Sequence, residues 1–93
     1  MKKIEKLDVL IKSILGENWY CVDYAKRSCY FRMGEHRYYT LSVHFYTEDP
    51  EINFQSFALN PTDTEACEYL ACLGKFARYV NEVGVLEFAN ILL

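Results

Sequence analysis

Residues 20–33 read YCVDYAKRSCYFRM, and every second residue on either side of Lys26–Arg27 is apolar. Alternation with a period of two is typical of β-strands, because successive side chains point to opposite faces. If Lys26 and Arg27 form a tight turn, the apolar residues of both strands share one face, which fixes the register of a hairpin. The predicted inward residues are Tyr20, Val22, Tyr24, Cys29, Phe31 and Met33. The predicted outward residues are Cys21, Asp23, Ser28, Tyr30 and Arg32.

Two further strands are predicted after this hairpin. A turn at residues 34–37 leads into a third alternating segment, which Asp49–Pro50 ends. Its inward residues would be Tyr39, Leu41, Val43 and Phe45, and its outward residues Tyr38, Thr40, Ser42, His44 and Tyr46. A fourth strand is predicted from about Glu51 to Leu59, where a change of parity favours a bulge near Gln55–Ser56.

Helices are predicted on both sides of the strands. Apolar residues recur with helical spacing from Ile4 to Ile14, and Gly16 follows as a helix end. A second helix is predicted to begin after Asn60 or Thr62 and to continue to Gly84. Its predicted apolar stripe consists of Ala66, Tyr69, Leu70, Leu73, Phe76, Ala77, Val80 and Val83. Residues 85–93 fit a short helix or an edge strand, and the helix is favoured.

The predicted fold is therefore α+β, a single compact domain over residues 1–93. Its order is an N-terminal helix, a four-stranded antiparallel meander, a long helix and a short C-terminal helix or strand. The helices are expected to cover one face of the sheet, since an antiparallel sheet commonly buries one face and leaves the other in water.

Composition limits the classes of function. The chain has 93 residues, of which 13 are acidic and 10 are Lys or Arg, giving a formal net charge of -3. Duplex DNA binding is not expected, because it needs positive charge to neutralise phosphates. Neither a membrane span nor a signal peptide is expected, since Glu5 and Asp8 interrupt the apolar residues that follow the basic N-terminus. A cytoplasmic location is therefore predicted.

No motif for catalysis, a cofactor or a metal occurs in the sequence. Phosphate-binding glycine loops and the common hydrolase and metalloprotease motifs are missing, and the four cysteines do not have zinc-ligand spacing. Cys21 and His44 are the one catalytic pairing to consider, but the meander separates them by two interstrand steps, roughly 9–10 Å. Enzyme activity is therefore not expected.

The outward face of the sheet is the first candidate binding surface. It would present Tyr30, Arg32, Tyr38, His44 and Tyr46. Tyrosine and arginine often dominate binding energy at interfaces, although tyrosine also occurs in strands for purely structural reasons.

The second candidate surface is the acidic segment 48–68, which contains no Lys or Arg. Its candidate residues are Glu48, Asp49, Asp63, Glu65 and Glu68. They could meet a basic partner, or they could be solvated turns and the favourable acids of a helix start.

The predicted function is a small acidic protein-binding module that covers the surface of a larger partner. In size, charge and order of elements the chain resembles phage-encoded inhibitors of CRISPR nucleases, bacterial immunity proteins and antitoxins. That resemblance implies a basic, nucleic-acid-handling partner. It does not identify any functional residue of this chain. One alternative is a homodimeric accessory protein joined through the apolar residues 85–93. Another is a binder of small ligands or single-stranded nucleic acid through the tyrosines of the sheet.

Overall fold

The computed structural model describes residues 2–25, 28–35, 39–45, 50–55 and 64–92. Helix α1 (Lys3–Leu15) is followed by strands β1 (Trp19–Ala25), β2 (Ser28–Met33) and β3 (Thr40–Phe45), and then by helices α2 (Thr64–Val83) and α3 (Val85–Leu92). The prediction of an α+β fold with an N-terminal helix, an antiparallel sheet and a long helix is confirmed. No helix in the described ranges is long and apolar enough to cross a membrane.

Three strands form the sheet, each antiparallel to the next along the chain. Ala25 pairs with Ser28, as the predicted tight turn requires, and the two residues between them lie outside the described ranges. The segment Pro50–Gln55 is the candidate for the predicted fourth strand. The fourth strand stays a prediction. Residue 56 of the predicted bulge, and the helix starts proposed at Asn60 and Thr62, lie outside the described residues.

The inward face of β1 differs from the prediction because the strand contains a bulge. Trp19 is opposite Met33 and Cys21 opposite Phe31, but the register shifts between Cys21 and Asp23. An extra residue in a strand moves every side chain before it to the opposite face of the sheet from the one that simple alternation predicts. The predictions that Tyr20 and Val22 point inward and Cys21 outward are therefore wrong, and Val22 is 41% exposed.

The inward residues of the other two strands follow the prediction, except that the side chain of Phe45 lies outside the described residues. Cys29, Phe31, Met33, Tyr39, Leu41 and Val43 are all buried. Tyr24, opposite Cys29, also packs against this core. Ser42 is buried as well, although it shares the outward parity of its cross-strand partner Tyr30. A small side chain beside a large ring is easily covered by that neighbour.

Helix α2 packs on the inward face through a narrower stripe than predicted. Its buried residues are Ala66, Tyr69, Cys72, Phe76 and Val80. The predicted core residue Leu70 is 50% exposed, Ala77 is exposed, and Cys72 takes a core position that the sequence did not single out. Gly84 follows the last turn of α2 with φ +97, a conformation that favours glycine.

The centre of the core is a stack of three aromatic rings. The ring of Tyr69 lies 6.2 Å from Trp19 and 5.0 Å from Tyr39, with the planes nearly parallel in both pairs. Its hydroxyl donates a hydrogen bond of 2.7 Å to the carbonyl of Thr40. This one side chain therefore joins helix α2 to the start of β1 and the start of β3.

The ring of Phe88 packs helix α3 against the rest of the chain. Phe88 is 1% exposed and makes edge contacts with Phe76 at 5.5 Å and Tyr79 at 6.1 Å. The Lys3 ammonium also donates to the Ile91 carbonyl at 3.0 Å, which joins α3 to the start of α1. The C-terminal segment is thus a helix docked on α2.

Helix α1 closes the outer edge of β1 with two charged side chains. The Asp8 carboxylate accepts the Cys21 N–H at 2.8 Å, and the Lys12 ammonium donates to the Trp19 carbonyl at 2.7 Å. Asp8 and Lys12 also pair with each other at 2.9 Å. Unpaired groups on an edge strand invite other chains to add to the sheet. We call these two residues the edge clamp.

The edge clamp makes a testable contribution to stability. Burial by itself would raise the pKa of Asp8, but hydrogen bonds from Lys12 and Cys21 and the Lys12 charge outweigh it and lower the pKa below 3.8. A lowered carboxyl pKa stabilises the fold above the ordinary pKa, and this contribution is lost as the pH falls. Asp8→Ala should therefore cost about 1 kcal/mol at neutral pH and less below about pH 4.

Urea unfolding at pH 7 and pH 3 measures this difference. Lys6→Ala, an exposed change on the same helix, is the control. A cost for Asp8→Ala that is unchanged at the lower pH, or no larger than that of the control, would contradict the role of the clamp.

Candidate binding surface

On the face of the sheet turned away from the helices, beside Asp23 and Ser28, lie six side chains that we call the outer sheet face. Its members are Tyr20, Tyr30, Arg32, Thr40, Ser42 and His44. Cross-strand pairing builds it in rows: Arg32 lies between Tyr20 and Thr40, and Tyr30 lies opposite Ser42. The buried helix residues belong to the core cluster of the inward face. Among the described residues, the helices therefore leave the outer sheet face uncovered.

Two aromatic rings on this face hold each other in place. Tyr30 and His44 are diagonal neighbours on β2 and β3, with ring centroids 5.5 Å apart and an interplanar angle of 78°. An edge-to-face arrangement is favourable for aromatic rings. Tyr30 nevertheless remains 37% exposed, so it presents a fixed ring to a partner at little further entropic cost.

Arg32 occupies the centre of the first row with few interactions of its own. Its Nη1 lies 3.5 Å from the Tyr20 hydroxyl, at the outer limit for a hydrogen bond. Its Nε is buried and has no hydrogen-bond partner within the described part of the chain. No ion pair joins it to any described residue.

The structure brings together some of the sequence-predicted candidates and separates others. Tyr30, Arg32 and His44 share the outer sheet face as expected. Glu65 and Glu68 lie on the first turns of α2, at one end of the molecule. The remaining candidates lie outside the described residues: Tyr38, Tyr46, Glu48, Asp49 and Asp63. Sequence reasoning missed Tyr20, because the bulge that turns it outward has no clear marker in the sequence.

The described acidic candidates line a shallow cavity of about 280 Å³. Glu35 and Asn18 line the same cavity, and the Asn18 amide donates to the Glu68 carboxylate at 3.1 Å. The described residues include no group of three His, Cys, Asp or Glu side chains placed to hold a metal ion. Glu68 thus has an intramolecular role, and Glu65 lies where a helix favours an acid.

Cys21, Cys29 and Cys72 have the properties of core residues. The pKa of the Cys21 thiol is raised to about 11, mainly by burial and also by the negative charge of Asp8. The pKa of the Cys29 thiol is raised to about 12, mainly by burial and also by the electrostatic effect of Cys21. A protonated thiol is a poor nucleophile at neutral pH. Cys21 also faces inward whereas His44 faces outward, so the pairing considered from the sequence does not form.

Alkylation by iodoacetamide tests the state of these thiols. Cys67 is exposed and should be labelled first. At pH 8, Cys21 should react about 100-fold more slowly than a free thiol, because its raised pKa leaves little thiolate. In the Cys67→Ser variant the fast phase should disappear. A fast phase that persists in that variant would contradict the assignment.

Comparison with known protein families, characterised proteins and solved structures gives no match to this chain.

Proposed function

We propose that this protein is a stand-alone binding module that acts by covering a surface of a larger protein. The observation that carries the proposal is the outer sheet face, where Tyr20, Tyr30, Arg32 and His44 lie together without a helix over them. Large, rigid side chains with one polar end are the usual centres of protein–protein interfaces. Occlusion is a mode of action that needs no catalytic group, as in an inhibitor or an immunity protein.

The proposed surface continues beyond β3. The backbone of Pro50–Gln55 runs antiparallel to β3, with Gln55 opposite Thr40 and Glu51 opposite His44. We propose that this segment is the fourth strand of the meander and widens the outer sheet face. A stable interface commonly buries about 800 Å² on each partner, which favours a surface of four strands over one of three.

The outer sheet face is a better candidate than the acidic segment 48–68. Glu68 already accepts a hydrogen bond from Asn18, and acids at a helix start stabilise the helix itself. Arg32, in contrast, has a buried Nε for which no intramolecular role is found among the described residues. The acidic residues could still steer a basic partner toward the module.

A cytoplasmic location is part of the proposal. Four cysteines are free, including Cys67 on the surface. Exposed and unpaired thiols are typical of proteins in reducing compartments.

Affinity capture from the native host, followed by light scattering of the recovered complex, tests the proposal. We expect a heterocomplex of fixed stoichiometry that does not form with the Tyr30→Ser variant. Leu70→Ser, an exposed change on α2, is the control and should leave capture unchanged. A complex that survives Tyr30→Ser but is lost with Leu70→Ser would show that the partner binds the helical side instead.

A homodimeric accessory protein is the second candidate function. The observation that favours it is the exposure of three apolar residues of α3: Leu86 is 74% exposed, Val85 43% and Ile91 41%. Exposed apolar residues in a group often mark an interface. Light scattering over a range of protein concentrations distinguishes the two candidates. A mass that rises to that of a dimer, and returns to monomer with Leu86→Asp, would support the dimer.

A further inference from the structure

The outer sheet face contains one positive charge with no counterion among the described residues. Arg32 is the only Lys or Arg in β1, β2 and β3. Its cross-strand neighbours, Tyr20 and Thr40, offer only neutral hydroxyls. The single acid of the three strands, Asp23, lies opposite Tyr30 and accepts the backbone N–H of Tyr24.

The guanidinium group is incompletely satisfied where it lies. It has five N–H donors, yet the described residues provide only the 3.5 Å contact from Nη1 to the Tyr20 hydroxyl. The Nε atom is shielded from solvent and has no partner among them. A buried donor without a partner costs free energy. The weak contact with Tyr20 is easily given up, so the group can turn and present Nε together with one Nη.

The geometry of these two N–H donors indicates which chemical group of a partner would bind them. Two parallel N–H groups of an arginine match the two oxygens of a carboxylate, and such bonds are among the stronger ones in proteins. Tyr30 lies one row from Arg32 on the same face, and its ring contacts that of His44 in the row beyond. Rings around a charged contact exclude water from it, which strengthens the contact.

The charge distribution favours a single carboxylate over a nucleic acid. Proteins that bind single strands use a positive groove along the path of the backbone as well as stacking rings. Here the three strands carry one Lys or Arg and one acid, Asp23, on a chain whose net charge is -3. One positive charge is complementary to one acidic side chain and not to a series of phosphates.

We infer that Arg32 is the anchor of the outer sheet face and binds an Asp or Glu side chain of the partner protein. This inference rests on the proposed function and specifies its chemistry. It differs from the expectation of a basic, nucleic-acid-handling partner, which the resemblance to known inhibitors implied.

Side-chain NMR of the Arg Nε–Hε groups tests the inference on the intact protein. The probes are a tetraglutamate peptide, inorganic phosphate and an oligothymidylate. We expect tetraglutamate to shift the Arg32 resonance in a saturable way and to leave Arg78, an exposed arginine of α2, unchanged. Arg32→Lys should bind the peptide about tenfold more weakly, because an ammonium group cannot make the paired bonds.

The other outcomes would overturn the inference. If the Arg32 resonance does not shift, or if the Arg78 resonance shifts equally, Arg32 is not the anchor. Tighter binding of oligothymidylate or of phosphate than of the peptide would assign the face to phosphate groups. If Arg32 does not respond but capture of the partner still depends on Tyr30, the inference fails and the proposed function holds. If Arg32 responds but no partner complex forms, the proposed function fails instead.

Discussion

Replacing Tyr69 by alanine should lower the free energy of unfolding by about 3–5 kcal/mol, the range for removing a large aromatic side chain from a core. Tyr69 is fully buried and stacks on both Trp19 and Tyr39. Its removal would open a cavity between α2 and the sheet and leave the Thr40 carbonyl without its hydrogen bond. Domains of this size have a total stability of about 5–15 kcal/mol, so this variant should be close to unfolding.

Fluorescence-detected urea unfolding measures the effect, because Trp19 is the only tryptophan of the chain and lies against Tyr69. Tyr69→Phe keeps the stacked ring and loses only the hydroxyl, so it should cost about 1 kcal/mol. Leu70→Ala, at the next and half-exposed position, is the surface control. A cost for Tyr69→Ala no larger than that of Tyr69→Phe would contradict the ring stack as the centre of the core.

The largest functional effect is expected from changing two residues of the outer sheet face together. Tyr30→Ser combined with Arg32→Gln should weaken the partner complex by about 100-fold or more, since truncating an interface centre commonly costs at least 2 kcal/mol. Both side chains are only partly buried. Their replacement should therefore change the free energy of unfolding by less than about 1 kcal/mol.

Titration calorimetry with the captured partner measures this loss, and urea unfolding of the same sample shows that the variant is folded. Leu70→Ser with Arg78→Gln is the matched control, because it removes one exposed apolar residue and one arginine from α2. Unchanged affinity of the sheet variant, or an equal loss in the control, would contradict the outer sheet face as the contact surface.

Much of the sheet can be predicted from the sequence, because β2 and β3 alternate without interruption. Phe31 and Leu41 are opposite each other in the core, and Tyr30 and Ser42 are opposite each other on the other face. Because the alternation continues through both strands, only one pairing register buries the apolar side chains of both on the same face. The outward positions of Tyr30, Arg32 and His44 follow directly.

Strand β1 could not be predicted in the same way. Trp19 and Cys21 are apolar, and so are Tyr20 and Val22, so either parity gives an apolar face. The bulge decides between them, and a bulge is set by packing that the local sequence does not record. For this reason Tyr20 was missed as a member of the candidate site.

The edge clamp shows a second limit of sequence reasoning. Asp8 and Lys12 are four residues apart, a spacing that predicts an ion pair on a helix surface. Their further bonds to Cys21 and Trp19 depend on how α1 lies against the edge of β1. Contacts of this kind require the tertiary structure, although the residues that make them are ordinary helix residues.

Nitration of tyrosines by tetranitromethane, with and without the captured partner, tests the central claim most directly. Mass spectrometry then gives the extent of reaction at each ring. The account predicts that Tyr20 and Tyr30 are protected in the complex, while Tyr79, which lies on the helical side beside Phe88, reacts equally in both samples. Protection of Tyr79 with no change at Tyr20 and Tyr30 would contradict it.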